Sequence, residues 1–132
     1  MTEKARPVWP GFFCYNALKR DKCEVYMELV KQIEAHVGAR PEKFYKTTLF
    51  RSDALLLGVN CLEPGQTQVP HEHDDQDKFY FVLAGSGRFW LGEERVLATA
   101  GDVVWAPAGL VHGVHNEGEE RLTLLVGIAP AP

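Results

Sequence analysis

From Phe44 onward the sequence is cut into short runs of β-type residues by turn signals, and that cadence constrains the fold more than any other feature. The runs cover residues 44–51, 53–61, 78–84, 87–91, 94–98, 102–106, 112–116 and 121–128. Between them stand Pro64-Gly65, Gly85-Ser86-Gly87, Gly92-Glu93-Glu94, Gly101-Asp102, Pro107-Ala108-Gly109 and Asn116-Glu117-Gly118. These residue types supply positive φ, preset φ, or bond back to their own backbone, so each group marks a reversal of the chain. Many short strands at this spacing predict an antiparallel sandwich or barrel. A length of 132 residues suits one such domain, and no repeat, low-complexity tract or long linker divides it.

The first part of the chain reads differently, and we divide the sequence into residues 1–43, an arm and a helix, and residues 44–132, the β domain. Pro7 and Pro10 mark the arm, whose Val8, Trp9, Phe12 and Phe13 are expected to cover a core edge or a partner subunit. Tyr26, Leu29, Val30, Ile33 and Val37 recur at helical spacing, which predicts an α-helix over 21–37 lying on the outside of the β domain. Asp21 with Glu24 resembles a capping box, and Gly38 before Pro41 is its expected stop. His36 is read as a solvated residue. Cys14, Cys23 and Cys61 form an odd, widely spaced set, expected as reduced, buried thiols. The formal net charge of -4 gives no basic footprint for nucleic acid or an anionic membrane. With no apolar run long enough to span a bilayer and no secretory h-region after Met1, the expected location is the cytoplasm.

Four of the five histidines fall between residues 71 and 115. His71 and His73 follow the Pro64-Gly65 turn and precede the apolar run Phe79-Tyr80-Phe81-Val82-Leu83. Side chains two apart in an extended chain share a face, so this pair offers half of a metal site. His112, fixed by the Pro107-x-Gly109 turn before a new strand, is the candidate for the other half. Three imidazoles suit a divalent transition ion, Zn²⁺, Fe²⁺, Mn²⁺, Ni²⁺ or Cu²⁺. His115 has the opposite parity to His112 and is read as an exterior residue.

These residues resemble the paired motifs of a small single-domain cupin. Gly65, His71, His73 and Gly85 stand where the first motif has its glycine, its His-x-His and its closing glycine. Gly101, Pro107, Gly109, His112 and Asn116 agree with the whole of the second motif. The resemblance covers roughly residues 50 to 128 and implies an antiparallel double-stranded β-helix, the jelly-roll barrel, with the N-terminal helix as an extension. It also implies a metal centre at His71, His73 and His112 and, together with an open sheet edge and the aromatic arm, a homodimer. One position departs from the pattern: Lys78 stands where the motif has a carboxylate, and a protonated lysine binds no metal. Asp77 through a bulge, Gln76 through its amide oxygen, or water remain as the fourth ligand.

By alternation from Lys78, Tyr80 and Val82 share the inward face with the histidines, and Phe79, Phe89, Trp90 and Trp105 are large enough to line or plug the interior. We assign Lys78 and Tyr80 to catalysis, and Lys78, Tyr80, Asn116 and Trp105 to a pocket for a small-molecule ligand, with Asn116 also suited to the turn that follows its strand. Three classes of function fit. The preferred one is a metal-dependent enzyme, of the oxygenase, isomerase or decarboxylase kinds that the resemblance implies, acting on a small anionic substrate. The alternatives are a non-catalytic barrel that binds a small molecule, and a metal-free site in which Lys78 and the histidines hold an anion.

Overall fold

The computed structural model describes residues 28–132, and within them Gln32–Pro132 form one unit built from nine strands. These are β1 (Tyr45–Arg51), β2 (Leu56–Leu62), β3 (Thr67–His71), β4 (Asp77–Ala84), β5 (Ser86–Leu91), β6 (Glu94–Thr99), β7 (Val103–Ala106), β8 (His112–His115) and β9 (Leu122–Ala129). They pair antiparallel into a five-stranded sheet of order β1-β2-β9-β4-β7 and a four-stranded sheet of order β3-β8-β5-β6. The crossovers between sheets are those of a jelly roll, as the turn cadence predicts. Eight of the strands fall on the runs read from sequence; β3 does not.

Alternation on β4 sends Lys78, Tyr80 and Val82 inward, where Tyr80 and Val82 join Leu62, Phe89, Val114, Leu122 and Leu124 between the sheets. Burying these apolar side chains, each worth about 1.5–3 kcal/mol, holds the sheets together. A second, smaller cluster lies on the outer face of β1 and β2, where Leu49, Val59 and Cys61 take Ile33 and Val37 against them. Cys61 is buried and free, as expected of a small hydrophobe.

That outer cluster corrects the helix expected over 21–37. Residues 21–27, like the N-terminal arm with Cys14 and Cys23, lie outside the described residues. From residue 28 the chain makes only a single 3-10 turn, Ile33–His36, and its C-cap Val37 is already extended. Leu29 and Val30 of the supposed apolar stripe are exposed. Ile33 and Val37 are apolar because they pack on the sheet, so tertiary contact and not helical periodicity explains their spacing. Among the described residues no helix is long and apolar enough to cross a membrane.

The chain crosses from β4 in the five-stranded sheet to β5 in the four-stranded sheet at Gly85, whose φ of 82° lies in the left-handed region. A Cβ there would sit 2.4 Å from the carbonyl oxygen of Arg121, so this reversal demands glycine on two counts.

Candidate metal centre

The last residue of β3 stands directly opposite the first of β8: His71 and His112 are register partners. His73 lies two residues beyond the end of β3, and its carbonyl accepts the Gly109 N–H at 2.8 Å. This bond ties the segment carrying His73 to the Pro107–Gly109 turn that launches His112. The three rings converge, with centroids 4.5 Å apart for His71 and His112, 4.9 Å for His71 and His73, and 5.7 Å for His73 and His112. One ring nitrogen from each lies within 4.8 Å of the others, and among the described residues this is the group of histidine, cysteine and acidic side chains placed to hold a metal.

Hydrogen bonding decides which nitrogens are free. His71 Nδ1 lies 2.8 Å from the Val69 carbonyl and His112 Nδ1 lies 2.9 Å from the Leu110 carbonyl. A carbonyl only accepts, so both Nδ1 atoms carry hydrogen and both Nε2 lone pairs are left for the centre. His112 Nε2 is buried and has no hydrogen-bond partner. An orphaned acceptor in such a place is costly unless something binds it, so the residues present fit a metal ion. Burial holds the His112 pKa down at about 4, and burial also lowers that of His71; both imidazoles stay in the neutral, ligating form at physiological pH.

Lys78 enters the same interior from β4, 5% exposed, its ammonium 4.9 Å from the centroid of the Tyr80 ring. Burial, aided by the charge of Lys46, pushes its pKa down to about 8. Its charge in turn reaches His71 and His112 and lowers both. Tyr80 is fully buried, and its hydroxyl donates to Gln68 Oε1 at 2.7 Å. Burial raises the phenol pKa, so Tyr80 keeps its proton and serves as a fixed donor and ring wall.

The other expected site residues lie elsewhere. Asp77 has the parity opposite to Lys78 and its Oδ1 accepts the Ala108 N–H at 2.9 Å; it braces the turn before His112 and does not join the histidines. Gln76 donates to the Pro130 carbonyl at 3.1 Å. Trp105 is 55% exposed, because β7 alternates and Val104 and Ala106 are its inward residues; the expected pocket role is thereby corrected. Asn116 is corrected in the same way. Its Nδ2 donates to the Leu62 and Glu120 carbonyls and its Oδ1 accepts the Gly118 N–H, so the turn after β8 consumes the whole amide. His115 faces outward, paired with the Thr67 hydroxyl at 2.7 Å.

Sequence reasoning missed Gln68, Asn60 and Lys46. Simple alternation back from His71 puts Gln68 on the wrong face, but β3 shifts register between Gln68 and His71, next to exposed Val69 and to Pro70, which has no N–H to give the ladder. Asn60 and Lys46 are register partners on β2 and β1, and both border a cavity of about 340 Å³ shared with Lys78 and Gln68. Alternation along β1 and β2 carried the signal that would have found them.

Residues 58–128 match the family described as the cupin domain. An uncharacterized protein of Streptomyces coelicolor is 34% identical over 101 residues, 75% of this chain and 91% of that one. A Thermus thermophilus crystal structure superposes with a TM-score of 0.77 at 38% identity, covering 80% of this chain and 100% of that chain. A Thermotoga maritima protein named as oxalate-binding is 33% identical over 75 residues, 57% of this chain and 62% of that protein.

Proposed function

This chain belongs to the cupin family, and from that premise we propose that it is a metal-dependent protein that takes a small anionic organic molecule into its barrel and acts on it chemically. The observation that carries this reading is the buried, unpartnered Nε2 of His112 facing His71 and His73, beside a buried lysine. His71, His73 and His112 would hold a divalent transition ion. Such an ion supplies Lewis acidity to ligand oxygens in its remaining coordination positions.

The rest of the chemistry belongs to the chain. No carboxylate joins the three histidines among the described residues, so the lining of the site is cationic and selects an anion. Lys78, with a pKa of about 8, carries a proton at neutral pH that it can release, which suits both holding a carboxylate and donating a proton. Tyr80, held by Gln68, packs its ring beneath the lysine and limits where the ammonium can go.

The test is metal content of the purified protein by elemental analysis, with a chelating anion such as oxalate titrated into it. We expect close to one transition ion per chain, lost in His112→Ala together with anion binding. A metal-free protein that takes up no ion, or a variant that binds the anion unchanged, would remove the proposal. One observation favours a second reading, binding without turnover: the Thermotoga maritima relative is named for binding. Recovery of candidate anions unaltered from the metal-loaded protein decides for that reading.

A further inference from the structure

Two lysines border the cavity beside the metal centre, and neither pairs with an acid among the described residues. The cavity, about 340 Å³, lies on the inner face of the five-stranded sheet and takes Lys46 from β1, Asn60 from β2, Lys78 from β4 and Gln68 from β3. The ion pairs among the described residues are Arg88 with Glu117 and Arg121 with Glu63; Lys46 and Lys78 are in neither. Asn60 is 6% exposed and lines this cavity. Lys78 and Asn60 are buried residues that line one cavity, and Lys46 stands exposed at its rim, so donors from three strands converge on a space that a ligand can enter. The lysines also act on each other, since the charge of Lys46 contributes to the lowered pKa of Lys78. A bound anion would relieve that repulsion.

The rest of the wall narrows the choice. Leu56, Val126 and Ile128 give the cavity an apolar side. None of the three histidines borders it, while Lys78 both borders it and acts electrostatically on His71 and His112. Oxalate would spend both carboxylates chelating one ion and leave this space without an anion. A ligand with an aliphatic segment and a second carboxylate would use all of it.

We propose, building on the metal-dependent reading above, that the cavity between Lys46 and Lys78 is a carboxylate subsite separate from the histidines. The ligand is then a dicarboxylate longer than oxalate, with one end at the histidine centre and the other between the two lysines. Lys46 is a specificity residue in this scheme and touches no metal.

Calorimetric titration of zinc-loaded protein with succinate, glutarate, butyrate and oxalate tests it. We expect the better of the two longer dicarboxylates to bind at least about tenfold more tightly than butyrate, a monocarboxylate of succinate's chain length. In Lys46→Met that preference should fall below about threefold, with metal content and oxalate affinity unchanged and no loss of melting temperature. Equal affinity for the longer dicarboxylates and butyrate in the native sequence overturns the subsite, as does a preference that survives Lys46→Met. Failure of the metal reading is seen separately: a chain that takes up no zinc but binds glutarate in a Lys46-dependent way keeps the subsite and loses the metal centre.

Discussion

Lys78 is 5% exposed, has no ion-pair partner among the described residues and lies under the charge of Lys46. Folding therefore disfavours its charged form, which is what a pKa of about 8 against an ordinary 10.5 means. The group is depressed on folding, so its penalty is complete below pH 8, shrinks as pH rises, and is gone above the unfolded value of 10.5. We expect Lys78→Met, which fills similar volume without charge, to stabilise the ligand-free protein by about 2 kcal/mol at pH 7, with the gain falling by at least about half at pH 10. Urea unfolding at the two pH values measures this; a variant less stable than the native sequence at pH 7 would show that the ammonium is well accommodated. A residue that costs stability and is placed at a cluster of histidines is typical of a functional site. At this scale the sequence was legible for identity and less so for role. His71, His73, His112 and Lys78 could be named because they sit at fixed offsets from turns. The pocket role assigned to Asn116 and Trp105 did not hold in the same way, because a buried amide serves a turn as readily as a ligand, and one step of strand parity separates a pocket wall from an exposed surface.

Among the elements, the β strands were readable because turn residues bound them and alternation fills them, as on β4. β3 escaped because Val69 and Pro70 interrupt its pattern and are exposed, although its last residue, His71, is a site residue. The helix over 21–37 was read from spacing alone, and Ile33 and Val37 owe that spacing to a sheet surface that no local pattern contains. The glycines where the chain crosses between the sheets are a sharper case. Gly85 and Gly101 both have positive φ, but a Cβ on Gly101 would meet nothing within 4 Å, whereas on Gly85 it would strike the Arg121 backbone. Left-handed strain alone costs an alanine roughly 1–2 kcal/mol. Gly101→Ala should therefore lose about 1 kcal/mol, and Gly85→Ala about 3 kcal/mol because the β4–β5 turn and the entry to β9 must separate. Chemical denaturation of both variants would read the difference directly. Equal losses would mean that the Arg121 backbone moves aside freely and that the contact does not fix the β4–β5 crossing.

Across the whole Gln32–Pro132 unit, the centre joins the two sheets' resources: the histidines come from the β3–β8 side, and Lys78, Tyr80 and the cavity wall apart from Gln68 come from the other. The motif spacing fixed that the histidines meet, since Gly65 and the Pro107-x-Gly109 turn set where β3 and β8 begin. It could not show the Lys46–Asn60–Lys78 cavity, which exists only once β1 and β2 are laid beside β9 and β4. An ion bound across His71 and His112 would brace β3 against β8, and because the ligand set is scattered in the unfolded chain, its binding free energy adds to stability. With free metal at about a hundred times its dissociation constant the gain is about 2.7 kcal/mol. For a unit spanning Gln32–Pro132, each kcal/mol corresponds to roughly 4–8 °C, so the melting temperature should rise by at least about 10 °C over chelator-treated protein. The rise should vanish in His112→Ala, since that change removes the buried Nε2, and survive in Asp77→Asn, whose carboxylate braces the Pro107–Gly109 turn and lies away from the histidines. A metal-dependent rise that persists without His112 would place the ion somewhere else on the chain, while one lost in Asp77→Asn with the fold intact would return Asp77 to the ligand set.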